Sequence, residues 1–420
     1  MKIPSFYLRS WVLVASLVIQ LITAMASDDG SGTTSSTVGA LKRYNAMFTF
    51  GDSMDETGNI CAASSNKTEL DVLTCTHPPY GETYFGRPSC RWCDGRVVVD
   101  FIAQALGLPF VPPSKAKGQD FRCGVSMAIT GGTAMNFSFY KSLGIEDPVW
   151  NHGSLDTQIQ WFKVLMPSIC GTQQSCQVYL RKSLFMFGGY GGNDYNVQLL
   201  ELGLTPEQAM NYTPKIVSAI ANGIEKLIAL GAVHVVVPGI FPTGCLPIFL
   251  SLFGDAASET DFDNTGCLKP YNRLTEYHNS LLRKQVDALQ RKHHNSARIM
   301  YADYYGLVYR MVQEPEKFGK FPSYSCEIVE KSINLIRLVV WSYVDWSLGF
   351  TKPFEACCGA GGGKYNFDVT ARCGMEGATT ACSDPSTRMS WDGIHPTEEV
   401  NKVITGALLR GPYCTPPILG

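Results

Sequence analysis

Short apolar runs at 46–50, 125–129, 184–187, 233–237 and 298–302 punctuate the chain, and longer stretches with a helical apolar period lie between most of them, at 97–106, 154–165, 206–230 and 274–292. A brief run without polar alternation fits a strand buried on both faces. Strands alternating with helices argue for a parallel sheet covered on both sides, a three-layer α/β/α fold. The first three strands each end in a polar or glycine-rich turn: Gly51-Asp52-Ser53, Thr130-Gly131-Gly132 and Gly191-Gly192-Asn193-Asp194. In an open parallel sheet, ligands bind beyond the carboxyl ends of the strands, where strand order reverses. With the order 2-1-3-4-5, strands one and three flank that point, and Ser53 and Asn193 face one crevice.

Two regions depart from the alternation. At the start, Lys2 and Arg9 precede an apolar run at 11–22, and Ala24-Met25-Ala26 follows. Charge, apolar stretch and small residues in that order predict a signal peptide over 1–26, since the stretch is shorter than the ~20 residues a membrane span needs. Residues 27–43, rich in Ser, Thr, Gly and Asp, read as a flexible leader, and 44–420 as one folded domain. Within it, 322–347 is apolar and uncapped and fits neither strand nor helix pattern.

At 420 residues and 45% apolar composition the chain can bury a large core. A net charge of −2 with no dense basic run argues against nucleic acid as a partner. No second apolar stretch is long enough to span a membrane, so the product is expected to be secreted without stable membrane insertion. The sequons at Asn66, Asn136 and Asn211 agree with a secretory route. Fifteen cysteines point to disulfides with one left unpaired, for which Cys326 is the candidate. Cys90-Arg91-Trp92-Cys93 lacks the second pair that a structural zinc site would need, so it reads as part of the disulfide set. No metal or other cofactor is implied.

Gly-Asp-Ser alone is weak evidence, because Asp and Ser in turns commonly cap helices. Its meaning changes with Asp392-Gly393-Ile394-His395 near the C-terminus. A serine hydroxyl attacks an ester only when a base takes its proton, and an Asp-x-x-His pair supplies the base and the carboxylate that orients it. Ser53 is therefore the candidate nucleophile, His395 the base and Asp392 its partner. The backbone N–H groups of Ser53 and Gly131 and the amide of Asn193 are the candidate oxyanion hole. Of the other histidines, His293 and His294 end a helix, His234 sits in an apolar strand, and His77 and His152 lie in loops. His278 is the strongest rival, but it falls mid-helix. An α/β-hydrolase would need G-x-S-x-G, and Gly124-Val125-Ser126-Met127-Ala128 lacks the second glycine.

These blocks resemble the plant GDSL esterase/lipase family of SGNH hydrolases, with Ser53, Gly131, Asn193 and His395 aligning on its four signature positions. Pro79-Tyr80-Gly81, Phe85-Gly86-Arg87-Pro88, Asp94-Gly95-Arg96, Tyr277-His278-Asn279 and Cys357-Cys358-Gly359 match as well, and the likeness is greatest to the subgroup of sinapine esterase, acetylajmalan esterase and the grass xylan deacetylases. The resemblance implies a flavodoxin-like sheet, no cofactor and a secreted glycoprotein acting on acyl esters. It leaves open transfer of the acyl group to an alcohol instead of water, and an inactive glycan- or lipid-binding homologue. Met54 stands where the family has leucine, Glu56 where it has aspartate, and Ser126 where it has asparagine. Segment 322–347 has no family counterpart; removing it would leave fourteen of the fifteen cysteines, as expected of a translated intron.

Overall fold

Phe48 and Phe50 on one side of the first strand and Met47 on the other are all fully buried, so that strand needs a covering layer on each face. The computed structural model, which describes residues 43–64, 66–145, 153–319, 326–328, 339–341 and 349–420, supplies both layers. Strands β1 (Ala46–Phe50), β2 (Gly124–Ser126), β3 (Ser183–Phe187), β4 (His234–Pro238) and β5 (Arg298–Ala302) pair in parallel in the order β2-β1-β3-β4-β5. Phe48, Phe50, Phe185, Phe187 and Val235 share one core with helices α2 (Leu155–Cys170), α3 (Thr213–Leu230) and α4 (Lys269–Lys292). Met47, Leu184, Met186 and Val236 share the other with α1 (Val98–Ala105), α5 (Tyr304–Gln313) and α6 (Glu398–Arg410). The period of two along each strand thus divides the apolar residues between the layers.

The expected α/β/α architecture and strand order are present, with local differences. The second strand ends at Ser126, although Met127 and Ile129 still donate to the carbonyls of Thr49 and Gly51. The helix expected over 206–230 is broken into Pro206–Ala209, a 3-10 turn and α3, because Pro214 has no N–H with which to continue the preceding turns. A sixth strand, β6 (Cys414–Thr415), adds antiparallel to β5 at the sheet edge. Two residues are too few to show a period. No described helix is long and apolar enough to cross a membrane.

Disulfides join Cys61–Cys90, Cys170–Cys176, Cys245–Cys267, Cys357–Cys382 and Cys358–Cys373. Cys75, Cys93, Cys123 and Cys414 are free thiols, so the expectation of one unpaired cysteine is corrected. The Cys90-x-x-Cys93 pair is split: Cys90 reaches Cys61, while Cys93 is buried beside Asp94 and the Asn401 amide. For Cys326 only the backbone is described.

The predicted signal peptide, nearly all of the leader and most of 322–347 lie outside the described residues. Within 322–347, Cys326–Ile328 pairs antiparallel with Val339–Trp341. The chain flanking that segment closes on itself: Phe350 N–H donates to the Pro315 carbonyl at 2.9 Å.

Candidate active site

Ser53 sits in the turn that leaves β1, and three neighbouring contacts hold that turn. Gln158 of α2 binds both the N–H and the carbonyl of Gly51, at 2.9 and 2.7 Å. Asp52 Oδ1 accepts from Met54 N–H at 3.0 Å, an Asx turn about Ser53. The Asp55 side chain fills the space beside Gly51 and Gly188, where an added Cβ would lie 1.8 Å from its Oδ2 at Gly188.

The loop from Trp391 to Thr397 brings its pair from the other end of the chain. His395 Nε2 lies 2.9 Å from Ser53 Oγ, and Nδ1 lies 2.7 Å from Asp392 Oδ2. All three residues are buried. A carboxylate can only accept, so Nδ1 carries the proton, Nε2 is left as an acceptor, and the Ser53 hydroxyl donates to it. Asp392 is saturated: Oδ1 accepts from the N–H groups of Ile394 and His395, and Oδ2 also accepts from Tyr80 Oη at 2.7 Å. Burial pushes this carboxyl up, but the facing imidazole and these hydrogen bonds outweigh it, and Asp392 is held below its ordinary value.

The turns after β2 and β3 border one opening with Ser53. Asp194 ties them together, accepting from Ala134 N–H, Met135 N–H and Tyr140 Oη at 2.8, 2.9 and 2.6 Å. Asn193 Nδ2 donates to the Gly132 carbonyl at 3.2 Å and to Asp52 Oδ2 at 3.3 Å. Gly131 has φ of +74°, a conformation costly for any residue with a Cβ. Among the described residues, the N–H groups of Ser53 and Gly131 donate to no other protein atom. All five of the expected site residues therefore converge, with two backbone donors unspent.

Several contributors had no role assigned from sequence. Trp92 stacks on the His395 ring with centroids 5.4 Å apart, and its Nε1 donates to Thr130 Oγ1 at 2.5 Å. Thr130 in turn donates through its hydroxyl and its N–H to Glu56, which also accepts from Ile60 N–H. Burial lifts Glu56 up to about 7 against those hydrogen bonds, and lifts Asp52 to about 6. Glu56 thus joins the short helix after Ser53 to the turn carrying Gly131. Tyr80 belongs to the Pro79-Tyr80-Gly81 block; no spacing rule ties it to Asp392, which lies 312 positions away.

The rival histidines fall elsewhere. His278 is buried in α4, with Nδ1 3.0 Å from Tyr195 Oη and Nε2 unpartnered, and burial lowers it to about 3. It packs under Gly191, where a Cβ would lie 2.6 Å from its ring. His293 Nε2 pairs with Glu225, and His77 Nε2 faces the Asp71 carbonyl. His234 packs edge-on against Tyr44. His152 lies outside the described residues. Asn66, Asn136 and Asn211 are all exposed, and the first two cap short helices through their side chains. Among the described residues, no group of three or more His, Cys, Asp or Glu side chains is arranged to hold a metal ion.

Comparison with known proteins agrees with this geometry. The family model of the GDSL-like lipase/acylhydrolases matches residues 47–408. A GDSL esterase/lipase of Arabidopsis thaliana is 37% identical over 380 residues, covering 89% of this chain and 92% of that protein. The sinapine esterase of Brassica napus is also 37% identical, over 384 residues, covering 89% and 87%. A match running from inside β1 to α6 takes in both ends of the site, and the chain belongs to the GDSL-like lipase/acylhydrolase family, hydrolases that act on ester bonds.

Proposed function

We propose that this protein is a secreted carboxylic-ester hydrolase working through a covalent acyl-enzyme on Ser53, with Asp392 and His395 completing a triad. The observation that carries the proposal is the unbroken chain from Ser53 Oγ to His395 Nε2 at 2.9 Å and from Nδ1 to Asp392 at 2.7 Å. In it, His395 takes the Ser53 proton as Oγ attacks the carbonyl carbon and returns it to the departing alkoxide; water then repeats the cycle on the acyl-enzyme. The free N–H groups of Ser53 and Gly131 stabilise the oxyanion, joined by Asn193 Nδ2 when one of its contacts, to the Gly132 carbonyl or to Asp52, gives way to it. One such donor is worth about 2.7–4 kcal/mol in the transition state.

Secretion is proposed on three supports: the signal peptide expected over 1–26, disulfides that form in an oxidising compartment, and sequons that all lie on the surface. Glycosylation at Asn66, Asn136 and Asn211 is part of the same proposal, as is a single catalytic domain over 44–420. The test is Ser53→Ala in purified protein. Hydrolysis of a short p-nitrophenyl ester is expected to vanish with the circular dichroism spectrum unchanged, and turnover surviving the substitution refutes the assignment.

A further inference from the structure

Two openings reach Ser53 from different sides. One, of ≈ 780 Å³ with its mouth included, runs past the turn after β4 and is walled by Met54, Tyr195, Ile240, Leu246, Phe249 and Tyr304. The Ile240 backbone in that wall is fixed by Asn279 of α4, whose amide makes both hydrogen bonds to it at 2.9 Å. The other opening, ≈ 1120 Å³ on the same measure, is bordered by Trp92, Thr130, Thr133, Glu201, Val369 and Arg372. Ser53 and Asn193 border both openings, whereas His395 borders only the second of the two.

That asymmetry gives a bound ester a direction. When the tetrahedral intermediate collapses, the bond from the carbonyl carbon to the alkoxide oxygen breaks and its electron pair leaves with the oxygen. That oxygen takes the proton that His395 Nε2 received from Ser53, so it must lie on the His395 side. The oxyanion is committed to the donors at Ser53, Gly131 and Asn193. Only the acyl substituent remains, and only the opening without His395 remains to hold it.

Resting on the Ser53 reading above, we infer that the narrower, aromatic-walled cavity takes the acyl group and the wider cleft the alcohol. The walls then define the substrate class: an apolar acyl group larger than acetyl, joined to a bulky alcohol that carries polar groups. Away from Asp52, Asn193, Asn196 and Thr243, the acyl cavity is walled by tyrosine, phenylalanine and aliphatic side chains, which favour each added methylene by roughly fourfold in binding. The cleft beside His395 mixes hydroxyl groups and both signs of charge, at Thr130, Thr133, Glu201 and Arg372, with apolar side chains such as Leu200 and Phe367, matching a bulky alcohol that presents both polar and apolar faces.

The test uses the full-length enzyme with two substrate series: p-nitrophenyl acetate, butanoate and octanoate, and butanoyl esters of methanol and of glucose. Wild-type kcat/KM is expected to rise with acyl length and to be higher for the glucose ester than for the methyl ester. Leu246→Trp, at a half-buried position of the acyl cavity, is expected to lower kcat/KM for octanoate by about tenfold or more, with acetate least affected. Val369→Trp, at an exposed position of the other cleft, is expected to spare the acyl-length profile and lower the glucose ester alone. Because the alcohol has departed before deacylation, the deacylation rate after a burst moves with Leu246→Trp and not with Val369→Trp. Exchanged effects of the two substitutions, or a wild-type rate indifferent to both series, overturn this assignment while leaving Ser53 as nucleophile. A wild-type enzyme that no fluorophosphonate labels brings down the Ser53 reading and this inference with it.

Discussion

The loop carrying His395 and the middle of α4 carrying His278 both bury an imidazole beside an aromatic ring, and they put it to opposite uses. His395 has a saturated carboxylate on Nδ1 and the Ser53 hydroxyl on Nε2. His278 has a tyrosine hydroxyl on one nitrogen, nothing on the other, and no carboxylate in reach, so burial alone lowers it to about 3 and it stays neutral. Burial does not make a histidine catalytic. What matters is a charge partner on one nitrogen and a transferable proton at the other. The two regions still serve one site, because the His278 ring packs against Gly191 and so supports the turn that carries Asn193.

The sharpest way to break the contrast is Asp392→Asn, which keeps the shape of the loop but removes the acceptor that holds the Nδ1 proton. A fall in kcat of about 10⁴ is expected in steady-state kinetics, with folding intact by circular dichroism. If kcat stays within tenfold, the Asp392 contact is structural and the two histidines differ less than argued here. His278→Ala should do the reverse. Its cavity under Gly191 is expected to cost roughly 2–3 kcal/mol in denaturant unfolding, while kcat/KM drops by less than about tenfold. A loss of activity as deep as that of Asp392→Asn would make His278 part of the chemistry.

The smallest expected effect is on pH dependence, and it compares carboxylates in the same two settings. Asp392 is hydrogen-bonded to an imidazole and is held low, whereas at Asp52 and Glu56 burial outweighs the hydrogen bonds, and at Asp52 the pull of His395 as well, and lifts them to about 6 and 7. Folded-state values above the unfolded ones mean that these two groups bind protons more tightly in the native state. The stability they contribute is complete below pH 3.8–4.5 and is lost as pH rises through 6 and 7. The melting temperature is therefore expected to fall by a few degrees between pH 5 and pH 8, with a shallower slope in Glu56→Gln. A rising slope over that window contradicts the account.

Much of the site was legible in the chain. Apolar runs ending in polar turns placed Ser53, Gly131 and Asn193 at one edge of the sheet, and Asp392-x-x-His395 declared its own geometry, because three residues of loop can fold an aspartate onto a histidine ring. The Glu56–Thr130–Trp92 relay onto His395 was not legible. Each of its links is one or two hydrogen bonds or a ring contact between residues tens or hundreds of positions apart, and neither periodicity nor composition registers such a contact. Cysteine pairing failed for the same reason: Cys90 and Cys93 share a tetrapeptide, yet only Cys90 turns toward Cys61.

Local order along the chain, through the period of two in its strands, the longer period in its helices and the residues that end each strand, determined the α/β/α layers and the candidate residues for a serine nucleophile and its base. Tertiary structure alone decided the hydrogen bonds that hold those groups, the histidine left neutral in α4, and the division of the space around Ser53 into two unequal openings. The physical reason is one of range. Backbone periodicity is set by neighbours within a few residues, while cavities and buried polar contacts arise where side chains from distant segments pack together, and their shape exists only after the layers have closed.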